Sequence, residues 1–343
     1  MIIGVCGLGY TGSGAVLDLL KEFDENHVID QLEFAIAYNP DGLEDLEYHL
    51  LKNVSRYLSS DIAIKRFKNY IKSKCTPRGT YQIVTNNQFK SLSENYIESL
   101  IQVKWTGAWS FDRVEATFWE KKIKYILLGR LQRLSDRILK KYVRIFPERE
   151  MCLSIRPEKF YELSRKYVND IIVSIDGDSG KNIVLDQPFS GDNPEKSFIY
   201  FDNPLAIIVD RDPRDIYILV KKVVLSYGRF MPSDDVKAFV EYYKALRINQ
   251  NPIKDITKVL KINLEDLIYE YDDTLKKIIN FTGMKNHRAA KSFFNPEVSK
   301  HNTQLFRKYN EFNEDIVYIE QELVEWLFPF DKYDPLTSSG KSF

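Results

Sequence analysis

The chain opens on an uninterrupted apolar run, Ile2 to Cys6, the pattern of a short strand buried on both faces of a parallel sheet. Beyond a glycine-rich stretch, Val16, Leu17, Leu19, Leu20 and Phe23 recur at helical spacing, so the chain begins as strand, turn, helix. Phe34 to Ala37 predicts a second short strand, ended by the turn signal Asn39, Pro40, Asp41, Gly42. From residue 43 to residue 169 the texture changes to long charged stretches of helical character, among them Phe118 to Phe146, where Lys and Arg are interspersed with Ile, Leu and Tyr. Strand-like apolar runs return at Ile183 to Asp186, Leu205 to Val209 and Val259 to Leu264, and a helix over Thr274 to Phe281 stops at Gly283. The expected fold class is α/β. A parallel-sheet core at residues 1–42 and 170–330, within a single domain spanning 1–343, carries a large, mostly helical insertion at 43–169.

Composition narrows the function classes. With 44% apolar and 29% charged residues over 343 positions, the chain is an ordinary globular mixture rather than a disordered or collagen-like one. Lys plus Arg (49) equals Asp plus Glu (49), so no net field gathers nucleic acid or an acidic membrane. The basic stretch Lys121 to Arg144 reads as a solvated helix face, with an anionic acceptor as the alternative. Cys6, Cys75 and Cys152 are scattered and odd in number, which suits a reducing compartment. Without a basic leader, a cleavage site or a membrane-length apolar stretch, the expectation is a soluble cytoplasmic protein with no integral membrane segment. No His, Cys or Asp cluster has ligand spacing, so no metal is expected.

The glycine-rich stretch carries the first candidate chemistry. Gly7, Gly9, Gly12 and Gly14 follow the buried strand and open a helix, where free amides and the positive dipole end favour an anion. Gly7, Gly9 and Gly12 satisfy a dinucleotide fingerprint, whereas Gly7, Gly12 and Ser13 approach a P-loop that lacks its Lys. The dinucleotide reading also needs an acid at the end of the second strand. After Ala37 the chain instead offers Tyr38, Asn39 and Pro40.

The second motif follows the run Leu205 to Val209: Asp210, Arg211, Asp212, Pro213, Arg214, Asp215, then a helix carrying Ile216, Leu219, Val220 and Val223. Asp212 suits an N-cap, Pro213 the first helical position, and Asp215 the third position of a capping box. None of this accounts for Arg211. A cation just ahead of a helix N-terminus is disfavoured by the dipole unless an anion joins it, and a guanidinium matches a phosphate.

These two motifs resemble those of the sulfotransferases that use PAPS (3′-phosphoadenosine 5′-phosphosulfate). Ser13 and Gly14 are similar to that family's 5′-phosphosulfate loop, and Arg211 to Asp215 to its strand-ending turn, whose first Arg contacts the 3′-phosphate. Ile262 to Leu267 with Asp273 to Phe281 is similar to a late strand and helix, and Phe294 to Asn302 to a C-terminal segment that closes over the donor. The likeness covers residues 1–23 and 180–330. It departs from the family at Gly12, where a basic residue is usual, at Ala15 and Val16, which replace small hydroxylic residues, and at Leu219, which stands for a Ser.

What the resemblance implies is a P-loop-type, nucleotide-binding transferase moving a sulfonate group from PAPS to a hydroxyl or amine. Tyr10, Thr11, Gly12, Ser13, Gly14, Ala15 and Val16 would cradle the phosphosulfate, and Arg211, with Leu219 nearby, would take the 3′-phosphate. Asp186, at a strand end, is the first candidate base and His301 the second, while Lys300 is a candidate for the missing loop cation. The acceptor is expected to be a small molecule, by preference a carbohydrate or glycolipid precursor, with Trp105, Trp109 and Trp119 available to stack on sugar rings. The rival readings are a nicotinamide-dependent oxidoreductase, a P-loop kinase and a non-catalytic binding relative.

Overall fold

The computed structural model describes residues 1–54, 58–76, 79–109, 111–139, 143–145, 147–177, 179–223, 230–250 and 252–335. Phe146 and part of the basic stretch Lys121 to Arg144 lie outside these residues, as does the sequence just after Val223.

Five parallel strands form the central sheet: β1 (Ile2–Gly7), β2 (Asn26–Glu33), β5 (Asn182–Asp186), β6 (Pro204–Asp210) and β7 (Val259–Asn263), in the spatial order β2-β5-β1-β6-β7. Alternation along the central strands sorts side chains between two cores. Ile2, Cys6, Ile183, Leu185, Ala206 and Ile208 face one core, and Ile3, Val5, Val184, Ile207 and Val209 face the other. Burial on both faces is why these strands read as continuous apolar runs.

The second core is closed by helix Ser13–Leu20 and by helices Leu264–Tyr269 and Tyr271–Thr282, the last ending on Gly283 at φ 72°. The first is closed by the insertion, whose Ile64, Phe67, Tyr96 and Ile97 join Ile2 and Ile29 in one apolar cluster. Helix Phe160–Asp176, also in that cluster, runs through the expected border between residues 169 and 170.

Two local expectations, the second strand and the end of the last, need correction. The second strand is Asn26–Glu33, and Phe34 to Ala37 is a buried segment following it. An edge strand needs apolar residues only where it touches the core, so its sequence lacks a continuous run. The insertion is mostly helical but also holds an antiparallel pair, β3 (Val103–Gly107) with β4 (Arg149–Leu153), joining segments distant in sequence. The last strand stops at Asn263, so Leu264 already begins a helix.

Candidate active site

All five sheet strands end on one edge, where open α/β sheets bind ligands. The strands flanking β1 are β5 and β6, so the segments after these three strands converge on that edge. Gly191 lies against Gly7 so tightly that a Cβ on it would stand 2.7 Å from the Gly7 carbonyl. Gln187, at φ 49°, turns its side chain onto the glycine-rich loop. Its Oε1 accepts from the Gly7 amide at 3.1 Å, and its Nε2 donates to Ser13 Oγ at 3.2 Å.

The loop itself rises through Tyr10 (φ 56°) and reaches the helix at Gly12 (φ 90°), its N-cap. Gly12 is required here twice over. The left-handed backbone disfavours any other residue, and a Cβ would meet Leu264 Cδ2 at 2.7 Å. Thr11 and Val16 are buried, Val16 in the second core, whereas Gly14 faces open space with nothing within 4 Å of a Cβ there. Of the first-turn amides, which have no intrahelical acceptors, that of Ala15 turns back to Gly12 O at 3.0 Å. Tyr10 stacks on Phe230 at 4.7 Å.

Three arginines near the end of β6 have different surroundings. Arg247 forms a double ion pair with Asp210, at 2.5 and 2.6 Å. Arg214 is held by Asp212 at 2.7 Å and Glu320 at 2.8 Å, over the ring of Phe306. Arg211, only 5% exposed, meets carbonyl oxygens instead: Nη1 donates to Tyr10 O at 3.4 Å, and Nη2 to Asn302 O. Its Nε is buried without a hydrogen-bond partner, and no carboxylate of the described residues forms an ion pair with it. The buried carboxyls of Asp215 and Glu265 act on it through space, but none is in contact with the guanidinium, so its charge is balanced only at a distance and an anion arriving between Tyr10 and Asn302 would add the close partner it lacks.

Asp212 caps the helix as expected, accepting from the Arg214 amide at 2.8 Å, with Pro213 at the first position. Asp215 does not complete a capping box. Its carboxylate accepts instead from the amides of Leu305 and Phe306, at 2.6 and 3.4 Å, fastening the C-terminal segment beside Arg211. Burial pushes the Asp215 carboxyl up, with Arg211 opposing the shift, and burial together with Asp212 pushes Glu265 up to about 8.

The remaining sequence candidates fall in different places. Asp186 ends β5, next to Gln187. Burial, then Glu33 and Asp30, push its carboxyl up to about 7, and its Oδ1 is buried without a hydrogen-bond partner. Among the described residues it makes no hydrogen bond to Ser13, Arg211 or His301. His301 lies beside the Asn302 carbonyl that meets Arg211, with its Nδ1 buried and unpartnered. Lys300 is tied to Glu297 at 2.8 Å, whereas Lys308 donates to His301 O at 2.7 Å and has its ammonium pKa lowered by burial. Leu219 packs into the apolar cluster that also takes Tyr10.

Gln187 and Lys308 were not singled out from sequence, and Asp215 was read there only as a capping acid. The signal available for Gln187 was its place immediately after a strand end. The true end of β2 also places Glu33 where a dinucleotide fold has its ribose-binding acid. In that fold the second strand lies beside the first, whereas here β5 stands between them and keeps Glu33 from the loop.

A cavity of about 290 Å³ opens beside the Arg211 turn, lined by Asp210, Arg211, Asn263, Glu265, Asp266 and Lys332 among others.

No protein-family model matches the sequence, and none of the curated proteins does. Among solved structures, the chain is similar to the sulfotransferase domain from the curacin biosynthetic pathway, with 13% identity and a TM-score of 0.39 over 95% of this chain and 98% of that one. It is similar to the sulfotransferase domain from the Synechococcus PCC 7002 olefin synthase, with 11% identity and a TM-score of 0.39 over 98% and 95% of the two chains. It is similar also to the sulfotransferase STF9 from Mycobacterium avium, with 10% identity and a TM-score of 0.37 over 97% and 77%.

Proposed function

We propose that this chain transfers a sulfonate group from PAPS to a hydroxyl or amine of an acceptor, by preference a carbohydrate or glycolipid precursor. The observation that carries the reading is Arg211, a buried guanidinium with no carboxylate partner, held against the Tyr10 carbonyl of the glycine-rich loop. Its neighbours Arg214 and Arg247 are both ion-paired, so a guanidinium without a carboxylate in contact is particular to the position that faces the loop.

In this reading the amides of residues 11–16 and the Ser13 hydroxyl, itself fixed by Gln187, hold the phosphosulfate end of the donor. Arg211 takes the 3′-phosphate. Attack by the acceptor oxygen on sulfur breaks the bond from sulfur to the bridging oxygen and releases adenosine 3′,5′-bisphosphate. Asp186 accepts the acceptor's proton, and a carboxyl held near 7 is matched to that task. The chain's contribution is alignment and charge, as in phosphoryl transfer. Position 12 offers no room for a loop cation; of the two lysines near the Asn302 segment, Lys300 is ion-paired with Glu297, whereas Lys308 donates to His301 O.

Thermal melting with adenosine 3′,5′-bisphosphate, NAD and ATP with Mg²⁺ tests the assignment, because a bound nucleotide raises the melting temperature. Stabilisation by the bisphosphate alone is expected. Stabilisation by NAD alone or by ATP alone would transfer the site to a dehydrogenase or a kinase, and no shift with any of them would leave a non-catalytic relative.

A further inference from the structure

Helix packing ordinarily turns the larger apolar side chains inward. Residues 118–139 do the reverse. They form one helical rod through Phe118–Glu120, Lys121–Leu127 and Leu128–Leu139, about 30 Å long. Its inward face is made by Tyr125, Leu128, Gly129, Gln132 and Ser135, small or polar for the most part. Gln132 supplies the attachment, donating to Val143 O at 2.8 Å and accepting from the Ile145 amide at 2.6 Å. The outward stripe is Trp119, Ile123, Leu127, Leu131, Leu134 and Ile138, spaced by three or four residues and between 42% and 68% exposed.

Charge identifies what this stripe meets. Lys121, Lys122, Lys124, Arg130, Arg133 and Arg137 stand against only Glu120 and Asp136 on the rod, in a chain whose overall charge is zero. Among the described residues none of the six cations is held in a salt bridge. In the regular helical stretch the three arginines fall along one flank of the leucine stripe, where their stems reach past an apolar surface to charged groups. Lys122 lies 4.5 Å from the ring of Phe118 and 5.7 Å from that of Trp119, grouping cation and aromatics at one end of the rod. No helix among the described residues is long and apolar enough to cross a membrane.

We infer that residues 118–139 are an interfacial helix that seats this protein on an anionic lipid bilayer, with the leucine stripe in the acyl boundary and the cations at the headgroups. A convex apolar rod flanked by cations that no carboxylate neutralises in a salt bridge among the described residues, with aromatic residues at one end, matches a bilayer surface. The stripe is a ridge rather than a groove, so it suits a yielding surface better than a short peptide. The inference does not depend on the proposed transfer reaction.

Cosedimentation of the full chain with phosphatidylcholine vesicles, with and without phosphatidylglycerol, tests it. Association with the phosphatidylglycerol vesicles, weakened by salt, is expected. The triple variant Leu127→Gln, Leu131→Gln, Leu134→Gln should partition about tenfold less or worse. The triple variant Arg130→Gln, Arg133→Gln, Arg137→Gln should lose the preference for anionic vesicles. All six side chains are exposed, and unchanged circular dichroism and melting would show both variants folded. No vesicle association by the native chain would overturn the inference. So would binding unchanged in the leucine variant, which would mark a soluble polyanion as the partner. A concentration-dependent dimer dissolved by the leucine substitutions, without vesicle binding, would assign the stripe to a second copy of the chain.

Discussion

Gln187 Nε2 donates to Ser13 Oγ at 3.2 Å, so the segment after β5 sets the hydroxyl of the loop after β1. The other end of the same amide accepts from Gly7 N at 3.1 Å, and one side chain thus braces both ends of the glycine-rich turn.

Replacing Gln187 by Leu removes both bonds. The expected loss of stability is about 1–3 kcal/mol in urea unfolding. Affinity for adenosine 3′,5′-bisphosphate should fall as well, because Ser13 is no longer oriented. A variant that loses stability and keeps its affinity would make Gln187 a brace of the fold alone.

Arg214 and Arg211 should respond unequally to truncation. Arg214→Ala leaves Asp212 buried without its cation and should cost about 3 kcal/mol or more. Arg211→Ala breaks no ion-pair contact, its effect on Asp215 and Glu265 being through space, and should cost less. Equilibrium unfolding of the two variants without nucleotide measures the contrast. Equal losses would mean that Arg211 is chiefly structural.

Much of the sheet was legible in the sequence because β1, β5 and β6 are buried runs of the kind a parallel sheet requires. β2 was not, because Asp30, Gln31 and Glu33 face solvent at the sheet edge. Nor was the pairing of β3 with β4, since nothing local in Val103–Gly107 announces a partner at Arg149–Leu153. At the site, Arg211 stood out because its charge conflicts with a helix start. Gln187 carries no charge, and its importance comes from a turn at φ 49° that no residue pattern advertised. Asp215 was read as a capping acid because its spacing fits one, whereas tertiary contact with Leu305 decides its role.

The raised carboxyl of Asp186 sets a pH dependence. Below about pH 4 the group is neutral in both folded and unfolded chains. Between that point and about 7 the unfolded chain releases its proton first, so the Asp186 contribution to stability is lost as pH rises. Glu265, pushed up to about 8, acts in the same direction over a wider range. Stability should therefore decline from pH 4 toward 8, and Asp186→Asn should flatten part of that slope. Turnover should run the other way, rising through about 7 as the base ionises. A rate profile unchanged in Asp186→Asn would remove it from the chemistry.

Restoring a basic residue to the loop should fail. Gly12→Lys forces a side chain onto a backbone at φ 90° and against Leu264, so loss of stability and of nucleotide affinity is expected. A gain in sulfonate transfer by this variant would show that the loop can rearrange around a cation.

Titration calorimetry of adenosine 3′,5′-bisphosphate into the native chain and Arg211→Ala bears most directly on the central claim, that the Arg211 guanidinium at the loop is a phosphate site. A loss of about 2 kcal/mol or more in binding free energy is expected, as for a charge-assisted contact. Equal affinities in the two proteins, or no binding by the native chain, would contradict it.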